Sequence, residues 1–166
     1  RLCGCSVRGM SYPMGTYNED VLTALRASGI VYSRTVEATR NFALPQDFLR
    51  WHPTAHQSHG ILELADQFLG RNHPLDLFYL WGHSFEYDRE SAPATWNLIE
   101  EFCEKMSGND AIWYATNIEI YDYVMAQRSL YFSVDKDRVT NPSALSVWLL
   151  ADGVPVEIPG GTTKTL

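Results

Sequence analysis

Three cysteines in 166 residues give this chain no disulfide framework. Cys3-Gly4-Cys5 lacks the two-residue spacer of the common zinc and redox motifs, and Cys103 falls inside a helical pattern. All three read as reduced thiols, which favours a cytoplasmic setting. Long apolar runs are also missing. No stretch approaches the roughly 18 residues of a membrane span, and no signal-peptide pattern opens the chain. Positive charge is scarce: 13 Lys and Arg against 20 Asp and Glu leave a net charge of −7. That balance argues against nucleic acid or an anionic membrane as partner, since both need clustered cations. There is no Ser or Cys nucleophile motif, no phosphate-cradling glycine loop and no internal repeat.

What remains is an ordinary globular composition, 45% hydrophobic and 20% charged, long enough for one domain with a core. Five Trp, nine Tyr and seven Phe suit a core or a sugar-stacking cleft equally well. The chain starts at Arg1 rather than Met and is strand-like within ten residues, as expected of a piece whose beginning lies elsewhere.

Strand and helix signals then alternate. Ser6–Tyr12 is a strand pattern stopped by Tyr12-Pro13-Met14-Gly15. Asn18 caps a helix with Glu19 and Asp20 in its first turn, Val21, Leu22 and Leu25 on one face, and Gly29 at its stop. Ile30–Val36 is a β-branched strand, and the segment from Glu37 to Pro53 is irregular. A helix is predicted from about Ala55 to Leu69. From Leu75 to Trp81, six of seven residues are apolar, which predicts a strand buried on both faces and ended by Gly82. A helix over Trp96–Met106, a buried strand over Ala111–Thr116 and a helix over Asn117–Arg128 follow. This alternation predicts parallel strands with crossover helices. Residues 130–166 read instead as short antiparallel strands, with Asp152-Gly153 as a hairpin turn.

Three groups of residues could carry chemistry. His83 follows a buried strand with Glu86 and Asp88 near it; that is a place for a proton-transferring histidine, or for a structural one. The Tyr12–Gly15 turn is either a simple strand-to-helix connection or a device aiming backbone N–H groups at an oxyanion. His52 and His56, with His59 behind them, have a spacing that could share a metal, or they could line a polar cleft.

Together these stretches resemble the carbohydrate esterase and polysaccharide deacetylase family that shares the NodB homology domain. The carriers are Arg8-Gly9-Met10-Ser11-Tyr12-Pro13-Met14-Gly15, the helix to Gly29, Ile30–Val36, and the strand delivering His83. Leu44–Thr54 and Trp113–Glu119 look like one bacterial subgroup, and the likeness covers about residues 6–130. The resemblance implies an α/β fold: a partial, distorted (β/α) barrel over residues 1–129 with a small β appendage over 130–166. It implies a hydrolase that removes acetyl groups from acetylated sugars with a divalent metal, usually zinc, held by an Asp and two His. It makes His83 the acid toward the leaving amine, and puts the oxyanion donor at or beside Met14, with Tyr12 in the same catalytic turn. Arg8, Trp81, His52 and Glu86 are the expected substrate contacts.

The family often carries an arginine two residues before the turn's proline, where this chain has Ser11. Its paired aspartates and His-Ser/Thr-x-x-His motif precede that turn, so the main metal ligands are expected upstream, with His52 and His56 as a local alternative. An incomplete barrel would expose sheet edges and favour self-association or pairing with a missing N-terminal portion. A non-catalytic carbohydrate-binding module and a small-molecule amide hydrolase are the alternative readings.

Overall fold

The computed structural model describes residue 4 and residues 6–73, 75–89 and 93–166, which form two compact units, 1–113 and 114–166. The division falls earlier than 129/130, because the helix before the appendage packs within the second unit.

In the first unit, strand β1 (Gly9–Ser11) leads through a 3-10 turn (Pro13–Gly15) to helix α1 (Glu19–Ala27) and strand β2 (Tyr32–Arg34). A 3-10 turn (Phe48–Arg50), strand β3 (Ala55–His56), helix α2 (Ile61–Leu69) and strand β4 (Leu80–Trp81) follow. A last 3-10 turn (Ser84–Glu86) precedes helix α3 (Trp96–Met106). β1 pairs with β2 in parallel, and β3 with β4. Trp51 links the two pairs through a parallel bridge to Arg34, donating to the Ser33 carbonyl (3.1 Å) and accepting from the Thr35 N–H (3.0 Å). Four chain segments thus lie side by side in sequence order, all running the same way. No closed barrel is formed among the described residues.

The helix ends follow their local chemistry. The Asn18 side chain accepts from the Val21 N–H (2.9 Å), satisfying one of the first-turn donors of α1. Leu22 is fully buried and packs with Tyr12 and Leu49. α2 buries Ile61, Leu64 and Ala65 with Phe42, Ala55 and Phe102, so the helices α2 and α3 close a second core. Each large aliphatic side chain buried there contributes about 1.5–3 kcal/mol.

Three expected elements differ. The helix predicted from Ala55 begins only at Ile61, because Ala55 and His56 are drawn into the ladder with Leu80 and Trp81 and Gly60 turns the chain at φ 65°. The strand predicted over Leu75–Trp81 pairs regularly only at Leu80–Trp81 and is half-buried, not buried on both faces, because β3 is its one partner strand among the described residues. No strand forms over Ala111–Thr116. The N–H groups of Ala111 and Ile112 are taken by Asn109, and Trp113 and Tyr114 are exposed.

The second unit has helix α4 (Asn117–Arg128), then β5 (Tyr131–Phe132), β6 (Arg138–Thr140), β7 (Val147–Ala151), β8 (Val154–Ile158) and β9 (Thr163–Thr165). The Glu119 carboxylate closes the start of α4 by accepting from the Thr116 N–H (2.7 Å) and hydroxyl (2.6 Å). β7 and β8 form the hairpin foreseen at Asp152-Gly153, both residues having the positive φ that a tight primed turn demands. β5, β6 and β9 form an antiparallel sheet whose β6 and β9 members carry no apolar alternation that would announce them. No helix among the described residues is long and apolar enough to cross a membrane.

Asn141 ties this unit together. It is fully buried, donates through Nδ2 to the Leu145 (2.7 Å) and Ile158 (2.9 Å) carbonyls, and accepts from the Ser143 N–H and hydroxyl. Asn141→Ala would leave these partners without their bonds, at a cost of about 2–3 kcal/mol. Native-state hydrogen exchange should show that loss at the slowest amides of β6–β9, and unchanged exchange there would refute the role.

Candidate functional site

The parallel register decides which side chains meet. β3 and β4 pair so that His56 lies opposite Trp81, and both end at the carboxyl end of their strands. His83 follows two residues later, and the turn over Ser84–Glu86 brings Glu86 back under it, with the Glu86 N–H donating to the His83 carbonyl (3.1 Å). Carboxyl ends of parallel strands are where α/β folds gather their chemistry, because loops converge there beyond the ladder.

Glu86 is the hub. Its Oε1 lies 3.1 Å from His83 Nδ1, and its Oε2 lies 3.1 Å from His56 Nε2 and 2.8 Å from the Gln57 amide nitrogen. Gln57 is buried and also donates to the His83 carbonyl (2.9 Å), which locks the turn to β3. His56 Nδ1 faces the Ser58 hydroxyl at 2.8 Å. With the hydroxyl donating to Nδ1, His56 carries its proton on Nε2 and donates to Glu86. Burial pushes His56 below its ordinary value near 6.5, outweighing the attraction of Glu86, so it is neutral at pH 7. Burial pushes Glu86 up, but the hydrogen bond from His83, the electrostatic pull of the two imidazoles and the Gln57 amide together hold it below its ordinary value near 4.5. His83 donates from Nδ1 to this carboxylate and leaves Nε2 with no partner among the described residues, on a half-exposed side chain.

Trp81 is the wall of the cluster. Its ring meets His56 edge-on (4.6 Å between centroids) and His83 likewise (5.5 Å). The Arg34 guanidinium lies over it, 4.0 Å from the ring centroid.

The other expected residues fall elsewhere. Tyr12 is a core residue: its ring stacks on Tyr17, and its hydroxyl donates to the Leu49 carbonyl at 2.7 Å, so the catalytic part expected of it is taken by packing. Burial raises its pKa, which keeps the phenol protonated. Met14 sits at φ 56° in the 3-10 turn with its side chain 93% exposed, and it is not among the residues that meet Glu86. Arg8 precedes β1, at the amino end of the ladder and so opposite in strand direction to the cluster. His52 pairs with the Thr35 hydroxyl (2.7 Å) and lies 3.6 Å from Glu37, and it does not join His56 as the expected metal pair. Among the described residues, the one group of three donors close enough to hold an ion is His56, His83 and Glu86, with ligand atoms within 4.8 Å of one another.

Arg34 and Gln57 were not foreseen in the sequence. A buried glutamine next to two histidines carries no local signal, and the placement of Arg34 depends on strand register. A cavity of about 600 Å³ also opens in this unit, between Phe42, Gln67, Arg71 and Leu75, and holds none of the expected site residues. Compared with family models, with curated proteins and with solved structures, the chain matches none.

Gly82 has a packing task here. A Cβ at this position would lie 1.9 Å from the Gln57 Oε1, so even alanine must displace Gln57 from Glu86. Gly82→Ala should therefore disorder the His83 turn while leaving α1 intact. Histidine side-chain NMR should show the His56 and His83 resonances shifting, and unshifted resonances would refute the role of Gln57.

The cluster also dictates an acid response. Both groups have folded values below their unfolded ones, so each contributes stability above its ordinary value that is lost as pH falls through the folded one. Urea midpoints should drop as pH falls below about 6.5 through His56, and further below about 4.5 through Glu86. Glu86→Gln should shrink the lower step to the share of Glu119, whose carboxylate the Thr116 hydrogen bonds also hold below its ordinary value; an undiminished step in that variant would count against the assignment.

Proposed function

We propose that this chain carries the acid–base part of a hydrolase site that removes acetyl groups from acetylated sugars, as in the polysaccharide deacetylases it resembles. One observation carries the reading: His83 is held at Nδ1 by the Glu86 carboxylate and keeps Nε2 open at the carboxyl end of a parallel ladder. A histidine oriented in this way presents one nitrogen to a substrate while the carboxylate stabilises the charge that appears when the ring is protonated.

Amide hydrolysis needs this most at one step. When the tetrahedral intermediate collapses, the C–N bond breaks and the nitrogen leaves as a poor anion unless it is protonated. In this reading, protonated His83 delivers the proton from Nε2 to that nitrogen, and Glu86 holds the ring in place through Nδ1. Gln57 and neutral His56 keep the carboxylate from turning away.

The resemblance implies a divalent metal, usually zinc, held by an aspartate and two histidines. The group His56, His83 and Glu86 does not fit that centre. It contains no aspartate, and Glu86 already holds the inward nitrogens of both histidines. The steps assigned to this chain are proton transfers only.

The test is His83→Ala in the protein expressed from its whole reading frame. Loss of the acid should lower kcat on N-acetylated sugars by about 10²–10⁴-fold, or roughly 3–5 kcal/mol of barrier, with KM little changed. Activated acetyl esters, whose leaving groups depart without a proton, should suffer less. Near wild-type kcat on an N-acetylated sugar would return His83 to a structural role.

A further inference from the structure

The acid–base chemistry leaves Arg34 unused. It ends β2, the neighbour of the segment that carries His56, and its guanidinium rests on the Trp81 ring that also touches His56 and His83. One indole therefore joins this cation to the proton donor. The side chain is half-buried, and loss of water lowers its pKa, though a guanidinium stays charged in a protein. Its Nη1 donates to the Thr35 carbonyl at 3.0 Å, and no carboxylate pairs with it among the described residues. Glu86 is held away from that task, because His56, His83 and Gln57 occupy both its oxygens. The other donors of the guanidinium make no hydrogen bond to a described residue and are open to solvent or a ligand. Stacking on an indole recovers part of the cost of removing a cation from water, and a bound anion would recover more.

We propose that Arg34, backed by Trp81, is an anion subsite that receives a carboxylate or phosphate borne by the acetylated sugar. It rests on the reading of the site as one that handles acetylated sugars, and it adds their charge. The planar fork of donors matches the paired oxygens of either anion, which a lysine in the same place would not. Substrates bearing a negative group are thus drawn to the indole that flanks the His83 ring.

The experiment is calorimetric binding to three N-acetylated hexosamine ligands: one uncharged, one carrying a carboxylate and one carrying a phosphate. A charged ligand should bind about ten- to a hundredfold more tightly than the neutral one. The arm that shows the gain tells a sugar acid from a sugar phosphate. Arg34→Gln should erase the preference, and Arg34→Lys should keep only part of it. Equal affinity of the wild type for all three, binding to none, or the same preference in Arg34→Gln overturns the proposal. The wild-type comparison needs no variant to fold. Binding is read without turnover, so a chain that discriminates by charge but never deacetylates would reject the reaction and leave the subsite standing.

Discussion

The segment from Trp51 to His56 pairs on both sides, and the first unit depends on that double pairing. At one end Trp51 exchanges backbone hydrogen bonds with β2; at the other, Ala55 and His56 run beside β4. Neither two-stranded pair would be stable in water alone. Joined through this segment, they form a continuous parallel array with α1, α2 and α3 packed over two hydrophobic clusters. The same pairing aligns the ends of β2, β3 and β4, which is why Arg34, His56 and Trp81 become neighbours although 47 positions separate the first from the last.

Electrostatics then organise what the ladder assembles. A carboxylate between two imidazoles and an amide has three donors on its two oxygens, so its burial is offset by hydrogen bonds. Burial opposes ionisation of Glu86, and its partners reverse the sign. His56 and Gln57 hold the carboxylate, the carboxylate orients His83, and only the outer nitrogen of His83 is left for chemistry. Removing the room that Gly82 leaves for Gln57 would therefore disturb a histidine that Gly82 itself need not touch.

Much of this was legible along the chain. The caps at Asn18 and Glu119, the helices over Trp96–Met106 and Asn117–Arg128, and the Asp152-Gly153 hairpin all rest on contacts within a few residues, and local chemistry specifies them. Where a segment's state depended on a distant partner, reading by pattern failed. Ala55 and His56 looked helical because they follow the breaker Pro53 and lead into the apolar stripe of α2, yet the backbone of β4 captures them. Ala111–Thr116 has strand composition but no neighbouring strand among the described residues, and its first donors go to Asn109. β6 and β9 are mostly polar, and pairing across the β5–β6–β9 sheet makes them strands.

The site divides in the same way. His83 and Glu86 stand three apart behind an apolar run, so the sequence alone determined that a histidine and a carboxylate would share one turn. It equally determined the deficit of cysteine and of positive charge that narrows the kinds of partner. Tertiary structure decided the rest: that His56 and not His52 joins the carboxylate, that Tyr12 is spent on the core, and that Arg34 lies on Trp81. The physical reason is that hydrogen-bond reach is about 3 Å, while the register between parallel strands is set by backbone pairing across tens of residues. Side-chain identity is written locally; which side chains come within 3 Å of one another is settled only when the strands align.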